Sequence, residues 1–248
     1  MTPRAFYLPP EDWRPPLALT GSEAEHFRVL RLGAGDVVLL LDGQGRKARC
    51  RVASVDKKSV VLEPLSERRV PPPAARPIMA LALSKAVRRD FFLEKASELG
   101  AWQLWLWRAR RSQGKLDDGL GRAARGKLVA GLKQSRNPWL PQVKIFDGIG
   151  EVIAASAGFP WRIMPWEESD GARMATPEQL GREGDTIYVI GPEGGFAPEE
   201  VSALFEAGFD AVSFGKRALR CETAAMLCLG LHWWASQLPG RPDNGSAV

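Results

Sequence analysis

Thr186-Ile187-Tyr188-Val189-Ile190-Gly191-Pro192-Glu193-Gly194-Gly195-Phe196-Ala197-Pro198-Glu199-Glu200 decides how the second half of the chain folds. An apolar run ends at Ile190, a glycine-rich turn follows, and Pro198 opens a helix with two glutamates in its first turn. Proline there lacks only an N–H that a helix start leaves unpaired, and carboxylates complement the helix dipole. In open α/β sheets, ligands gather at the carboxyl ends of strands, where such turns lie. The spacing is Gly-x-x-Gly-Gly, not Gly-x-Gly-x-x-Gly, and Pro192 removes an amide that would hold phosphate. The next strand ends in Gly215-Lys216-Arg217, with no acidic residue to grip a ribose. A nicotinamide enzyme is thereby disfavoured; the basic residues still suit a 2′-phosphate, so an NADP-dependent oxidoreductase stays as an alternative. Alone, the turn reads equally well as a tight βα connection that holds no ligand.

The flanking segments repeat the strand–helix rhythm. Ile78–Ser84 has the composition of a buried strand. Arg89–Leu99 carries Phe92, Ala96 and Leu99 at helical spacing, with Gly100 placed to end the helix. Trp102–Trp107 is apolar on both alternating faces, as a buried parallel strand requires, so Trp102, Trp105 and Trp107 read as core, not as base-stacking platforms. A long polar helix follows over 119–135, then strands near Val143 and Ile163. Ala211–Phe214 is a last strand, before a terminal helix from about Glu222 to Gln237. The expected domain is α/β with a mostly parallel sheet over residues 78–238, followed by a disordered tail over 239–248.

Residues 1–70 read differently. Ser22-Glu23-Ala24-Glu25 has capping-box spacing for a short helix through Leu30. Val37–Asp42, Arg46–Val55 and Ser59–Leu65 are strand-like runs between tight turns, which suggests a small antiparallel barrel. His26 reads as a core histidine packing the short helix, with an RNA contact as the other possibility. Val70–Pro77 holds four prolines, so residues 71–77 are expected to be a stiff linker between two domains.

The chain has 248 residues and a net charge of +5, unevenly spread. Lys+Arg outnumber Asp+Glu by 13 to 9 in residues 1–76 and by 14 to 6 in 77–150, but fall to 7 against 14 in 151–248. The densest run is Arg108-Ala109-Arg110-Arg111-Ser112-Gln113-Gly114-Lys115. Such a surface suits a phosphate-rich partner or is simply a solvated face, and charge alone does not separate the two. No stretch is long and apolar enough for a signal peptide or a membrane span, and Cys50, Cys221 and Cys228 lack metal or redox spacing. A cytoplasmic protein with reduced, buried thiols is expected.

The segment Leu219-Arg220-Cys221-Glu222-Thr223-Ala224 joins the last strand to the last helix. It sets polar groups at a helix start, where unpaired amides favour oxygen ligands. Ile190–Phe196 together with Leu219-Arg220-x-Glu222-Thr223-Ala224 resembles the 16S ribosomal RNA uracil-N3 methyltransferases of the knotted SPOUT superfamily. Further matches are His26-x-x-x-Leu30-Arg31-Leu32, Glu98-Leu99-Gly100, Arg111-Ser112 and Gln134-Ser135. The resemblance covers roughly residues 20–235. It departs at Cys221, where threonine is common, and at Ala130 and Lys133, where glutamates are frequent; these changes bear on RNA docking.

The resemblance implies a PUA-like RNA-binding barrel followed by a SPOUT domain with a deep trefoil knot, which connectivity rules would otherwise disfavour. It implies S-adenosylmethionine as cofactor, held by Met164, Pro165, Ile190, Gly191, Gly194, Gly195, Leu219, Thr223 and Ala224. Arg220 is expected to stabilise a uracil anion or hold a phosphate, since a guanidinium stays protonated. Glu222 is expected to accept a proton, fix Arg220 or cap the helix. Arg31, Arg108, Arg110, Arg111, Lys115 and Arg136 are the expected RNA contacts. The partner implied is 16S rRNA in the small ribosomal subunit, with uracil N3 in the decoding region as target and a homodimer as the assembly. A non-catalytic RNA-binding protein on the same scaffold is the remaining alternative.

Overall fold

The computed structural model describes residues 2–84, 86–113, 119–166 and 173–238. The expected disordered tail over 239–248 and the expected RNA contact Lys115 lie outside them. The chain divides into two compact units, one of residues 1–72 with 129–140, the other of 73–128 with 141–248.

The first unit holds β1 (Arg4–Tyr7), β2 (Leu17–Thr20), α1 (Gly21–Val29), β3 (Val37–Leu41), β4 (Arg46–Val55) and β5 (Ser59–Arg69). Its sheet has the order β1-β3-β4-β5-β2. The expected antiparallel pairing holds except at β1, which runs parallel to β3. Alternation decides its faces: Ala48, Cys50 and Val52 of β4 are buried with Phe6, Leu19, Phe27, Val38, Leu40, Val60 and Leu62.

Two readings of this unit are corrected. Helix α1 begins after Thr20 with no side-chain cap. Glu23 instead accepts the Tyr7 N–H at 3.1 Å and pairs with Lys133 at 2.6 Å. His26 is exposed, its ring meeting the edge of Phe6 at 5.7 Å, because Ala24 and Phe27 take the core-facing positions of the short helix.

The second unit holds β6 (Ala75–Ala82), α2 (Ala86–Glu98), β7 (Gln103–Trp107), the start of α3 (Leu120–Ser135), β8 (Gln142–Phe146), α4 (Ile149–Ala155) and β9 (Trp161–Pro165). It continues with β10 (Arg173–Met174), α5 (Pro177–Leu180), β11 (Gly184–Ile190), α6 (Pro198–Glu206), β12 (Asp210–Ser213) and α7 (Cys221–Ser236). Seven parallel strands run in the order β10-β12-β9-β11-β6-β7-β8. Trp105 and Trp107 are fully buried in its core, whereas Trp102, one residue before β7, is half-buried under the Arg76 guanidinium. Gly100 ends α2 at φ +77, with Ala101 N–H on Ala96 O and Gly100 N–H on Ser97 O.

The proline-rich stretch is shorter than expected, because β6 already begins at Ala75. Pro77 pairs in register with Thr186, and its carbonyl accepts the Trp102 N–H at 2.8 Å. A residue's N and C=O point to the same side of a strand, so the missing N–H faces the loop before β7 and costs no ladder bond. Helix α3 also departs from the expected division. Leu120, Ala124, Leu128 and Leu132 form a buried stripe at every fourth residue, and from Val129 onward the helix packs within the first unit.

Candidate active site

The parallel register sets the floor of the site. Ile190 lies level with Leu81 of β6, Tyr188 with Ile163 of β9, and Pro165 with Val212 of β12. Met164, Pro165 and Ile190 therefore end side by side at the carboxyl edge of the sheet, Met164 fully buried and Ile190 nearly so. Trp166 N–H donates to Val212 O at 3.0 Å and holds the β9 and β12 ends together.

From that edge, Pro192–Gly195 makes a turn closed by Gly195 N–H on Pro192 O at 2.9 Å. Gly195 sits at φ +71, where a side chain would be strained. A Cβ on Gly191 would come within 3.0–3.2 Å of the Phe196 ring, which stacks on Trp107 at 6.2 Å. The turn is held by the loop after β7. Arg111 Nη1 donates to Gly194 O at 2.9 Å. Glu200, 4% exposed, accepts Arg110 N–H at 2.9 Å and Ala197 N–H at 2.8 Å. One buried carboxylate thus joins that loop to the start of α6, a tie that glutamate in a first helical turn does not announce in sequence.

The second motif opens α7. Arg220 is its N-cap, in extended backbone and exposed, and its carbonyl accepts Ala224 N–H at 2.9 Å. Cys221 and Glu222 are buried, and the thiol donates to Glu222 Oε2 at 3.3 Å. Burial, the hydrogen bond to Glu222 and the nearby charge of Glu193 push the Cys221 thiol up to about 12. Glu193 of the glycine turn thus bears electrostatically on the start of α7. Leu219 and Ala224 are half-buried and Thr223 is exposed.

The expected RNA contacts fall in both units. Arg108, Arg110 and Arg111 are exposed on the loop after β7. Arg108 Nη2 pairs with Asp147 Oδ1 at 2.7 Å, and Arg108 and Arg110 line a cleft of about 480 Å³ with Asp147, Glu199 and Glu200. In the first unit Arg31 is exposed and Arg136 half-buried, both with left-handed backbone at φ +55 and +57. Sequence reading missed Asp147, whose pairing with Arg108 is set by β7 and β8 lying side by side.

Comparison with known proteins agrees with this geometry. Residues 72–233 match the RNA methyltransferase domain family, and residues 19–65 match the RNA methyltransferase PUA domain. The ribosomal RNA small subunit methyltransferase E of Mycobacterium bovis is 32% identical over 85% of this chain and 83% of its own length. The Bacillus subtilis protein of the same name is 29% identical over 90% of this chain and 92% of its own. The crystal structure of the Neisseria gonorrhoeae protein of that name, bound to S-adenosyl methionine, has the same fold. Its TM-score is 0.79 at 24% identity, over 92% of this chain and 95% of that one. With its glycine turn and α7 motif at one edge of a parallel sheet, the chain belongs to the RNA methyltransferase family, among the ribosomal RNA small subunit methyltransferase E proteins.

Proposed function

We propose that this chain transfers a methyl group from S-adenosylmethionine to N3 of one uracil in the decoding region of 16S rRNA, in the assembled small subunit. The observation that carries the reading is the shared carboxyl edge of β9, β11 and β12, from which the Pro192–Gly195 turn leaves β11 and the chain runs on from β12 to Arg220–Glu222 at the start of α7.

The residues at this edge fit the cofactor. Pro165 and Leu219, both half-buried, offer apolar surface for a purine and a thioether chain, Ile190 and Met164 are proposed to contribute through their backbone at the strand ends, and the backbone of Gly191, Gly194 and Gly195 allows close approach. Thr223 and Ala224, in the first turn of α7, complete the proposed set. When bound, S-adenosylmethionine supplies a methyl group already activated on a sulfonium. The protein's work is then position and charge. Arg220, exposed at the mouth of the site, keeps its proton and so holds the anionic imide or a neighbouring phosphate without acting as a base. Glu222, buried against the Cys221 thiol, orients this segment and accepts a proton near it.

Arg31, Arg108, Arg110, Arg111, Lys115 and Arg136 are proposed to contact rRNA. We also propose a homodimer: Trp233 and Trp234 of α7 stand 54% and 47% exposed, and Phe91 of α2, a helix that packs on α7, is 52% exposed. Such an apolar surface suits a partner subunit. Helix α7 follows β12 and packs on β6 and β11, and we propose that it reaches them through a trefoil knot. Three free, buried cysteines, and no described helix long and apolar enough to cross a membrane, accord with a cytoplasmic protein.

The deciding experiment is transfer of labelled methyl to purified 30S subunits and to free 16S rRNA, followed by mapping of the modified base. Label at N3 of one uridine, with subunits preferred, supports the proposal. Label on another atom, or none, refutes it.

A further inference from the structure

Among the described residues, Ser84 Oγ and Arg89 Nε flank the junction of β6 and α2, both buried and without a hydrogen-bond partner. Ser84, two residues past the end of β6, is 1% exposed. Arg89, five residues on, is 12% exposed along its side chain. Its ion pair is with the adjacent Asp90 at 3.8 Å, too long for a hydrogen bond. Leaving a buried polar atom unpaired is costly, most of all on a charged group, so both atoms call for a cause.

Phe92, Leu93 and Ala96 form the buried stripe of α2, and Arg89 heads it, three residues before Phe92 and four before Leu93, where an apolar side chain belongs. Helical side chains lean toward the N-terminus, so Arg89 leans toward the carboxyl edge of the sheet, from which α2 departs. That is the edge of the candidate site. Ile190 lies level with Leu81 of β6, so the glycine turn and the Leu83–Ser84 exit leave neighbouring strands. Helix α7, which packs on α2, begins at the same edge. Helices α4, α6 and α7 each open with a glutamate, whereas the first turn of α2 has no acidic residue to meet its positive dipole end.

We propose that Arg89 and Ser84 bind the carboxylate of the amino-acid tail of S-adenosylmethionine. This rests on the reading that the edge holds that cofactor, and it adds two residues outside the set assigned above. The two carboxylate oxygens accept from the guanidinium, with Nε–H among the donors, and from the Ser84 hydroxyl. A short anionic tail suits so buried a cation, whereas an RNA backbone is met by cations that stand in solvent. Held at the β6–α2 junction, the tail fixes the direction of the sulfonium, and so of the methyl group, without touching the purine.

Calorimetry on the full-length protein tests this, comparing S-adenosylhomocysteine, which carries the tail, with 5′-methylthioadenosine, which lacks it. Arg89→Met sets an apolar side chain at the head of the stripe, so the Tm without ligand should hold or rise. Its affinity for S-adenosylhomocysteine should fall about 10- to 100-fold, while that for 5′-methylthioadenosine stays within about twofold of the parent's. Ser84→Ala should show the same selectivity at about 3- to 10-fold. Arg89→Lys should recover part of the loss, since it keeps the charge but not the planar fork. Equal losses on both nucleosides would mark Arg89 as structural and overturn the proposal. Unchanged S-adenosylhomocysteine affinity in Arg89→Met would overturn it too; a rise in KM for 30S subunits alone would assign Arg89 to RNA instead. A parental protein that binds neither nucleoside overturns the cofactor reading itself, a failure seen before any substitution is made.

Discussion

Arg111 Nη1 donates to Gly194 O at 2.9 Å, and a Cβ on Gly194 would lie 3.3 Å from the Arg111 Cβ. The arginine that the sequence offers as an RNA contact is therefore also a brace for the glycine turn. Arg111→Ala frees that carbonyl and loosens the turn, so affinity for S-adenosylmethionine should fall about tenfold by calorimetry, the scale of one charge-assisted hydrogen bond. Arg111→Lys should recover part of it. Unaltered cofactor affinity in the alanine variant would show that the brace is incidental.

Arg220 is exposed at the α7 N-cap while Cys221 and Glu222 are buried, which fits its proposed action on the substrate more than on the cofactor. Arg220→Ala should abolish methyl transfer and leave S-adenosylmethionine affinity mostly intact. Near-parental methylation of 30S subunits by this variant would remove Arg220 from the mechanism.

The three thiols respond to pH together. Cys50 is raised to about 11 by burial and the charge of Glu67, Cys221 to about 12, and Cys228 higher still by burial. Each folded value lies above the ordinary thiol value of 9.0. The linked stability is therefore fully present below pH 9 and is lost as pH rises through 11 to 12, because the unfolded chain loses these protons first. Urea midpoints should fall over that window and not between pH 7 and 8.5. At pH 8 the native protein should resist a thiol reagent that labels all three cysteines once it is unfolded; rapid native labelling would place at least one of them at the surface.

Where sequence and structure agree, local chemistry is the reason. Strand β4 spans Arg46–Val55 as its alternation predicts, and α6 starts at Pro198 as its first turn predicts. The Gly191–Gly195 turn and the Leu219–Ala224 segment are readable because both stand at junctions of strand and helix. What escaped is long-range. β1 beside β3, His26 turned outward, Pro77 inside a strand, and the passage of α3 from one unit to the other all depend on what the fold brings alongside. No residue window contains that partner. The Glu23–Lys133 pair joins positions 110 apart in sequence, so Lys133 reads as a departure from the family pattern until its partner is seen.

Glu200 offers the sharpest test of how the β7 loop and the glycine turn are coupled. Its buried carboxylate accepts two backbone N–H groups, from Ala197 and from Arg110. Glu200→Ala strands both donors, at about 1–3 kcal/mol each where water cannot reach them. For a chain of this size each kcal/mol is worth about 2–4 °C in Tm. Glu200→Gln keeps one acceptor but turns an amide NH2 toward the other N–H, so it should recover only part of the loss. Both variants should also release the loop that carries Arg108, Arg110 and Arg111, so KM for 30S subunits should rise alongside the fall in Tm. A Glu200→Gln protein as stable as the parent would show that only one of the two hydrogen bonds matters; a Glu200→Ala protein with unchanged Tm and KM would show that the loop is held by other contacts.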